Sequence, residues 1–197
     1  MGVRKVVRSL VGFAVIGSIL ASMAGPVWAI EIVHEGTARP GEIVAGFRVG
    51  PQFSTTPGLN TVGPNINFQG LYGLNKWLRI GMTIDWGQFK ISDAGRASTG
   101  GSGQFSTVTL LPVYLEYRPG RIGGFQPYIG SGIGVNINNK DVANTFAWRA
   151  AGGMDYYITK MLALNTEVKY TRNTTEGQDL GSVALLFGVR MSFGGQS

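Results

Sequence analysis

From residue 42 onward, apolar and polar positions alternate with a period of two. Between Trp77 and Trp86, the residues Leu78, Ile80, Met82, Ile84 and Trp86 share one face of a strand. Arg79, Gly81, Thr83, Asp85 and Gly87 share the other. The pattern recurs about eight times and predicts strands near 42–53, 65–74, 77–90, 104–117, 126–137, 146–158, 161–172 and 181–193. The apolar face, which includes Phe47, Phe68, Ile84, Leu115, Ile133, Val168 and Phe187, carries no charge along its central positions. The polar face carries Arg48, Arg79, Asp85, Glu116, Arg149, Asp155, Glu167, Lys169 and Arg190, with Glu42 near the rim.

Alternation alone does not say which face is inside. The ends of the strands do. Tyr72, Trp77, Tyr117, Tyr156 and Phe193 fall at one set of ends, and Phe53, Trp86, Phe105, Trp148 and Tyr170 at the other. Two aromatic belts about one membrane thickness apart are what amphipathic rings form at lipid–water interfaces. The apolar face is therefore expected to meet lipid and the charged face to line an interior. In lipid, every backbone N–H and C=O must be satisfied internally, and a sheet achieves this only by closing on itself. Eight strands close around a space that side chains can fill. A charge left unpaired in such a space costs about 3–5 kcal/mol, so the nine charged residues above are expected to form a lumen ion network. Arg79 and Glu116, inward near the same end of adjacent strands, are expected to pair.

The connections between strands support the same arrangement. Residues 54–64, 91–103, 138–145 and 173–180 read as longer loops rich in Ser, Thr, Gly and Asn, and 74–77 and 158–161 as tight turns. Residues 118–125 read as a third, looser turn. Long external loops and short periplasmic turns are the habit of outer-membrane barrels.

Residues 1–29 read as a signal peptide. Arg4, Lys5 and Arg8 precede an apolar run from Leu10 to Ala24, and Val27-Trp28-Ala29 offers small residues for cleavage. Residues 30–41 then read as a periplasmic N-terminal tail and 42–197 as the barrel. Of the net charge of +6, three positives lie in that leader, so the remainder is too mild to argue for nucleic acid. The chain has no cysteine and one histidine, His34, in the tail. Thiolate and histidine-rich metal sites are excluded, and no cofactor is expected. Gly130-x-Gly132-x-Gly134 has period two and belongs within a strand, not to a phosphate loop.

Several segments, Gln126 to Asn136, Ala151 to Ile158, Leu162 to Tyr170 and the last strand, resemble the eight-stranded outer-membrane barrels of the OmpA, OmpX and OmpW type. The resemblance covers essentially the whole chain after the leader, and stops before any peptidoglycan-binding domain. Gly188-Val-Arg-Met-Ser-Phe193 looks like the family's C-terminal insertion signal, with Gly188, Met191 and Phe193 as its spaced elements. The resemblance implies an all-β, antiparallel up-and-down barrel in the outer membrane. It also implies partners in the assembly machinery and in outer-membrane lipid. The fold hosts adhesins, small-solute channels and lipid enzymes alike. Lipid A deacylases of this fold use a membrane-facing His and Ser, and residues 42–197 contain no histidine.

The expectation is a non-enzymatic, monomeric structural or surface-interaction protein. The alternative is a narrow channel for small or apolar solutes, with a lipid A-modifying enzyme behind it. Lys90 and Arg172 share the outward parity beyond Trp86 and Tyr170, and with Arg96 and Lys140 nearby they are candidates for contact with lipopolysaccharide phosphates.

Overall fold

The computed structural model describes residues 32–33, 36–55, 62–90, 104–138, 145–175 and 178–195. The expected leader, His34, Arg96 and Lys140 lie outside the described residues, as do the side chains of Lys90 and Phe105.

Eight long strands carry the fold: β1 (Glu42–Ser54), β2 (Val62–Gly73), β3 (Leu78–Lys90), β4 (Gln104–Tyr117), β5 (Phe125–Asn138), β6 (Thr145–Tyr157), β7 (Leu162–Thr175) and β8 (Gln178–Gly194). Each pairs antiparallel with the next, and β8 returns to pair with β1 from Ser182 opposite Ser54 down to Gly194 opposite Glu42. The sheet is a closed barrel with no free edge among these eight strands. A strand of 13 residues, such as β1, extends about 43 Å and, tilted by about 40°, rises about 33 Å. That exceeds the roughly 25 Å apolar band of an outer-membrane barrel.

The polarity is inverted relative to a water-soluble sheet. The bulkiest fully buried side chains are Arg48, Arg79, Arg118, Arg149 and Arg190. The exposed wall is Ile43, Phe47, Phe68, Ile84, Leu115, Ile129, Ile133, Phe187 and similar residues on every strand. In water such a surface would aggregate, whereas in lipid it is the solvated face. Aromatic pairs mark both rims. Trp77 stacks on Tyr117 with centroids 6.0 Å apart, and Phe125 meets Tyr156 at 5.2 Å, at the short-turn end. Trp148 meets Tyr170 edge-on at 5.5 Å at the loop end.

Three features depart from the sequence expectation. The first is the stretch 173–180, expected as a long loop. Here β7 and β8 run on through it, with Leu180 opposite Asn173 and Gln178 opposite Thr175, so two residues join them. Thr174 is β-branched and favours extended backbone, which helps keep the ladder going. The second is a bulge in β4. Leu111 and Pro112 together oppose Gly134 on β5, and Pro112 and Val113 together oppose Met82 on β3. Proline lacks the N–H a ladder needs and is tolerated at such an irregularity. Gly134 is required beside it, because a Cβ there would lie 2.0 Å from the Leu110 carbonyl oxygen.

The third feature is the lead segment. Where the sequence suggests a tail, the described part is docked across the short-turn end. Ile32–Val33 pairs with Arg121–Ile122. Ala38 is buried and its N–H donates to the Lys76 carbonyl at 3.0 Å, and the Gly41 N–H donates to the Gly73 carbonyl at 2.9 Å.

Candidate functional site

Period-two alternation points one residue in two of each strand into the barrel. Arg48, Arg79, Asp85, Glu116, Arg149, Asp155, Glu167, Lys169 and Arg190 all lie there, buried, together with Glu42. They form three clusters stacked along the barrel axis.

The cluster nearest the short turns is organised by Glu116. Its Oε1 accepts from Arg79 Nη1 at 3.2 Å and Arg118 Nη1 at 2.9 Å, and its Oε2 accepts from Arg190 Nη2 at 2.7 Å. Arg79 lies directly opposite Glu116 in the β3–β4 ladder and also donates to Glu42 Oε2 at 2.6 Å. Asp155 Oδ2 accepts from Arg118 at 2.8 Å and Arg190 at 3.1 Å. The Arg190 guanidinium sits over the Tyr128 ring, 4.2 Å from its centroid, where the ring's negative face favours a cation. Three bases and three acids balance.

Arg118 is the site residue that sequence reasoning missed. It follows the last residue of β4 and precedes Pro119, so it reads as part of a turn. Its side chain is fully buried, and Nε reaches Thr37 Oγ1 in the docked lead segment at 3.1 Å while Nη2 reaches Gln126 Oε1 at 2.9 Å. The signal was available: Tyr114, Glu116 and Arg118 continue one period-two row beyond the strand's end.

In the middle cluster, Arg48 pairs with Glu167 and donates from Nε to Asn67 Oδ1 at 2.8 Å. Tyr128 donates its hydroxyl to Glu167 Oε2 at 2.9 Å. Asn165 Nδ2 donates to Asp155 Oδ1 at 2.6 Å, linking this level to the one below. One base meets one acid.

In the cluster nearest the loops, Arg149 and Lys169 both pair with Asp85, one on each carboxylate oxygen. Lys169 Nζ also donates to Asn65 Oδ1 at 2.8 Å and Arg149 Nη1 to Thr83 Oγ1 at 2.8 Å. Amides and hydroxyls continue the chain outward, from Asn65 Nδ2 to Gln52 Oε1 at 2.7 Å and from Gln52 Nε2 to Ser182 Oγ at 2.8 Å. Above them, on the loop side, lies a small vestibule of about 20 Å³ lined mainly by polar side chains, room for about one water-sized occupant.

The pairs span the lumen. Asp85 stands on β3 and Lys169 on β7, which are on opposite sides of the ring. Arg48 on β1 and Glu167 on β7 are separated by β8, and Arg149 on β6 reaches Asp85 on β3.

The remaining residues singled out from the sequence lie outside the lumen. Arg172 is half-buried on β7, opposite Trp148 of β6, and Lys90 ends β3 at the loop end. Met191 and Phe193 face outward on β8. Gly188 sits at the β1–β8 seam, where a Cβ would come within 1.9 Å of the Phe47 carbonyl oxygen, so the close approach of β1 itself requires glycine there. Among the described residues no group of side chains could hold a metal ion.

A sequence model of the family described as "Outer membrane protein beta-barrel domain" matches residues 19–193. No curated protein sequence matches. Among solved structures, Neisserial surface protein A is similar with a TM-score of 0.62 at 18% identity, covering 78% of this chain and 99% of that one. The outer membrane protein OprG from Pseudomonas aeruginosa is similar with a TM-score of 0.51 at 12% identity, covering 80% of this chain and 98% of that one. At these identities the likeness establishes the fold.

Proposed function

The chain belongs to the outer membrane protein beta-barrel family, and from that premise we propose a non-enzymatic, monomeric barrel whose lumen is sealed by charge. Its role is envelope integrity or surface interaction through the loops. The leader exports the chain, the docked segment faces the periplasm, and the loop end faces outward. The observation that carries this reading is the set of cross-lumen ion pairs, above all Asp85 held between Arg149 and Lys169. Opening a path through them would separate buried charges, at several kcal/mol for each ion left unpaired.

The test is electrical. Purified barrel in a planar bilayer is expected to give no reproducible single-channel steps. Regular steps in the unaltered protein would replace the sealed lumen with the second reading, a narrow channel for small or apolar solutes. The small polar vestibule at the loop end is the observation that favours it. A lipid A-modifying activity would appear as a mass change in lipid A on expression.

The assembly machinery is the expected partner of the last strand, through Gly188, Met191 and Phe193. Lipopolysaccharide is the expected partner of the loop-end rim. Arg172 stands beside the Trp148–Tyr170 pair, at the height where headgroup phosphates meet the wall. The doubly substituted Lys90→Ala/Arg172→Ala protein is expected to lose most of the rise in melting temperature that lipopolysaccharide gives the unaltered protein. Equal rises in the two proteins would remove these residues from the contact.

A further inference from the structure

We propose that the loop-end cluster binds a small monovalent anion, of chloride's size and charge, in the vestibule beside Lys169 and Arg149. The buried charge is not evenly distributed. The lower cluster balances three bases against three acids and the middle one base against one acid, but the upper cluster sets Arg149 and Lys169 against Asp85 alone. Among the described residues one positive charge is left over, and it is left at the level that lines the vestibule. The three side chains are 1%, 2% and 3% exposed, so bulk water screens the surplus poorly.

Donors are available to hold the anion. A lysine ammonium has three N–H groups and a guanidinium five. Lys169 uses two toward Asn65 and Asp85, and Arg149 uses three toward Thr83, Thr171 and Asp85. Among the contacts of the described residues, one ammonium proton and two guanidinium protons remain. Around them the vestibule presents hydroxyls and amides, including Thr107, Asn173 and Ser182, and no carboxylate but Asp85 among its described lining. The size of the surplus sets the ligand's charge: a monovalent anion neutralises the cluster, whereas a divalent one would reverse its sign. The site stands whether or not the lumen conducts.

The test compares urea unfolding midpoints of the refolded barrel in sodium chloride and in sodium gluconate at equal concentration, the larger anion serving as the control for ionic strength. Chloride is expected to raise the midpoint saturably in the unaltered protein, following the linkage between binding and stability. Lys169→Met leaves Arg149 and Asp85 as a balanced pair, and its midpoints in the two salts are expected to coincide. Asp85→Asn leaves two bases and no acid, and its chloride dependence is expected to exceed that of the unaltered protein. Equal midpoints for the unaltered protein, or an undiminished chloride effect in Lys169→Met, overturn the proposal. Should a variant fail to fold, bromide soaked into crystals of the unaltered protein decides the matter. An anomalous peak within about 4 Å of Lys169 Nζ, the reach of a close ion pair, supports the site, and its absence overturns it.

Discussion

Replacing Glu116 by glutamine is expected to cost about 3–5 kcal/mol of stability, the loss that follows when one partner of a buried ion pair is removed. Glu116 is the most heavily used carboxylate of the lower cluster, accepting from Arg79, Arg118 and Arg190. The glutamine side chain keeps the shape and one acceptor oxygen but removes the charge, leaving three guanidiniums to Glu42 and Asp155. No water layer replaces it, because Glu116 and all three arginines are fully or almost fully buried. Urea unfolding in lipid vesicles, followed by tryptophan fluorescence, measures the loss. A contrasting variant separates the cost of an orphaned charge from that of lost packing. Arg48→Met with Glu167→Met removes both members of the middle pair, and replacing a buried pair with apolar side chains of similar volume is often neutral or stabilising. A Glu116→Gln loss below about 1 kcal/mol, the range of exposed ion pairs, would mean that the lumen is wetter than its burial indicates.

The second large effect is on the opposite face. Ile84→Arg is expected to destabilise the inserted barrel by about 2–4 kcal/mol, the cost of an arginine facing the bilayer midplane. Ile84 is exposed at the middle of β3, opposite Phe68 on β2 and Leu110 on β4. Leu74→Arg, in a short turn where the exposed side chain is at the rim, is expected to cost no more than about 1 kcal/mol. The difference between the two sites carries the test. Equal costs at Ile84 and Leu74 would contradict a membrane centred on the strands, and in a water-soluble barrel both substitutions would be close to neutral.

Apart from the shift at Pro112, the face of each strand was legible in the sequence because side-chain direction alternates with a fixed period and lipid tolerates no charge. That single constraint placed Arg48, Asp85, Glu167 and Arg190 inside and Phe47, Ile84 and Phe187 outside. Less legible was anything depending on contacts between distant segments. Arg118 follows a strand and precedes a proline, so it reads as part of a turn even though it continues the inward row of Tyr114 and Glu116. The lead segment is polar, and its docking rests on backbone bonds to Lys76 and Gly73, which leave no trace in side-chain pattern. The stretch 173–180 looked like a loop from its Asn, Thr and Gly content, yet residues 173–175 pair with 178–180, and Asn173 and Thr174 also pair with the preceding strand. The uneven division of charge among the three levels needed the register, because the sequence gives parity but not height.

The bulge in β4 has a consequence for how this chain can change in length. Strand β4 carries a surplus residue that its neighbours lack, and Pro112 and Val113 lie side by side on the wall while Leu111 and Tyr114 both point inward. The irregularity works as a parity corrector: without it, the row continuing through Glu116 and Arg118 would turn into the lipid. Excising Pro112 removes the surplus and the need for correction together, so regular alternation would return with both faces preserved. Gly134, whose missing Cβ gives the kinked backbone its room, would then be released from its constraint. Positions 112 and 134 thus form an epistatic couple, expected to be acquired and discarded jointly as barrels of this lineage diverge.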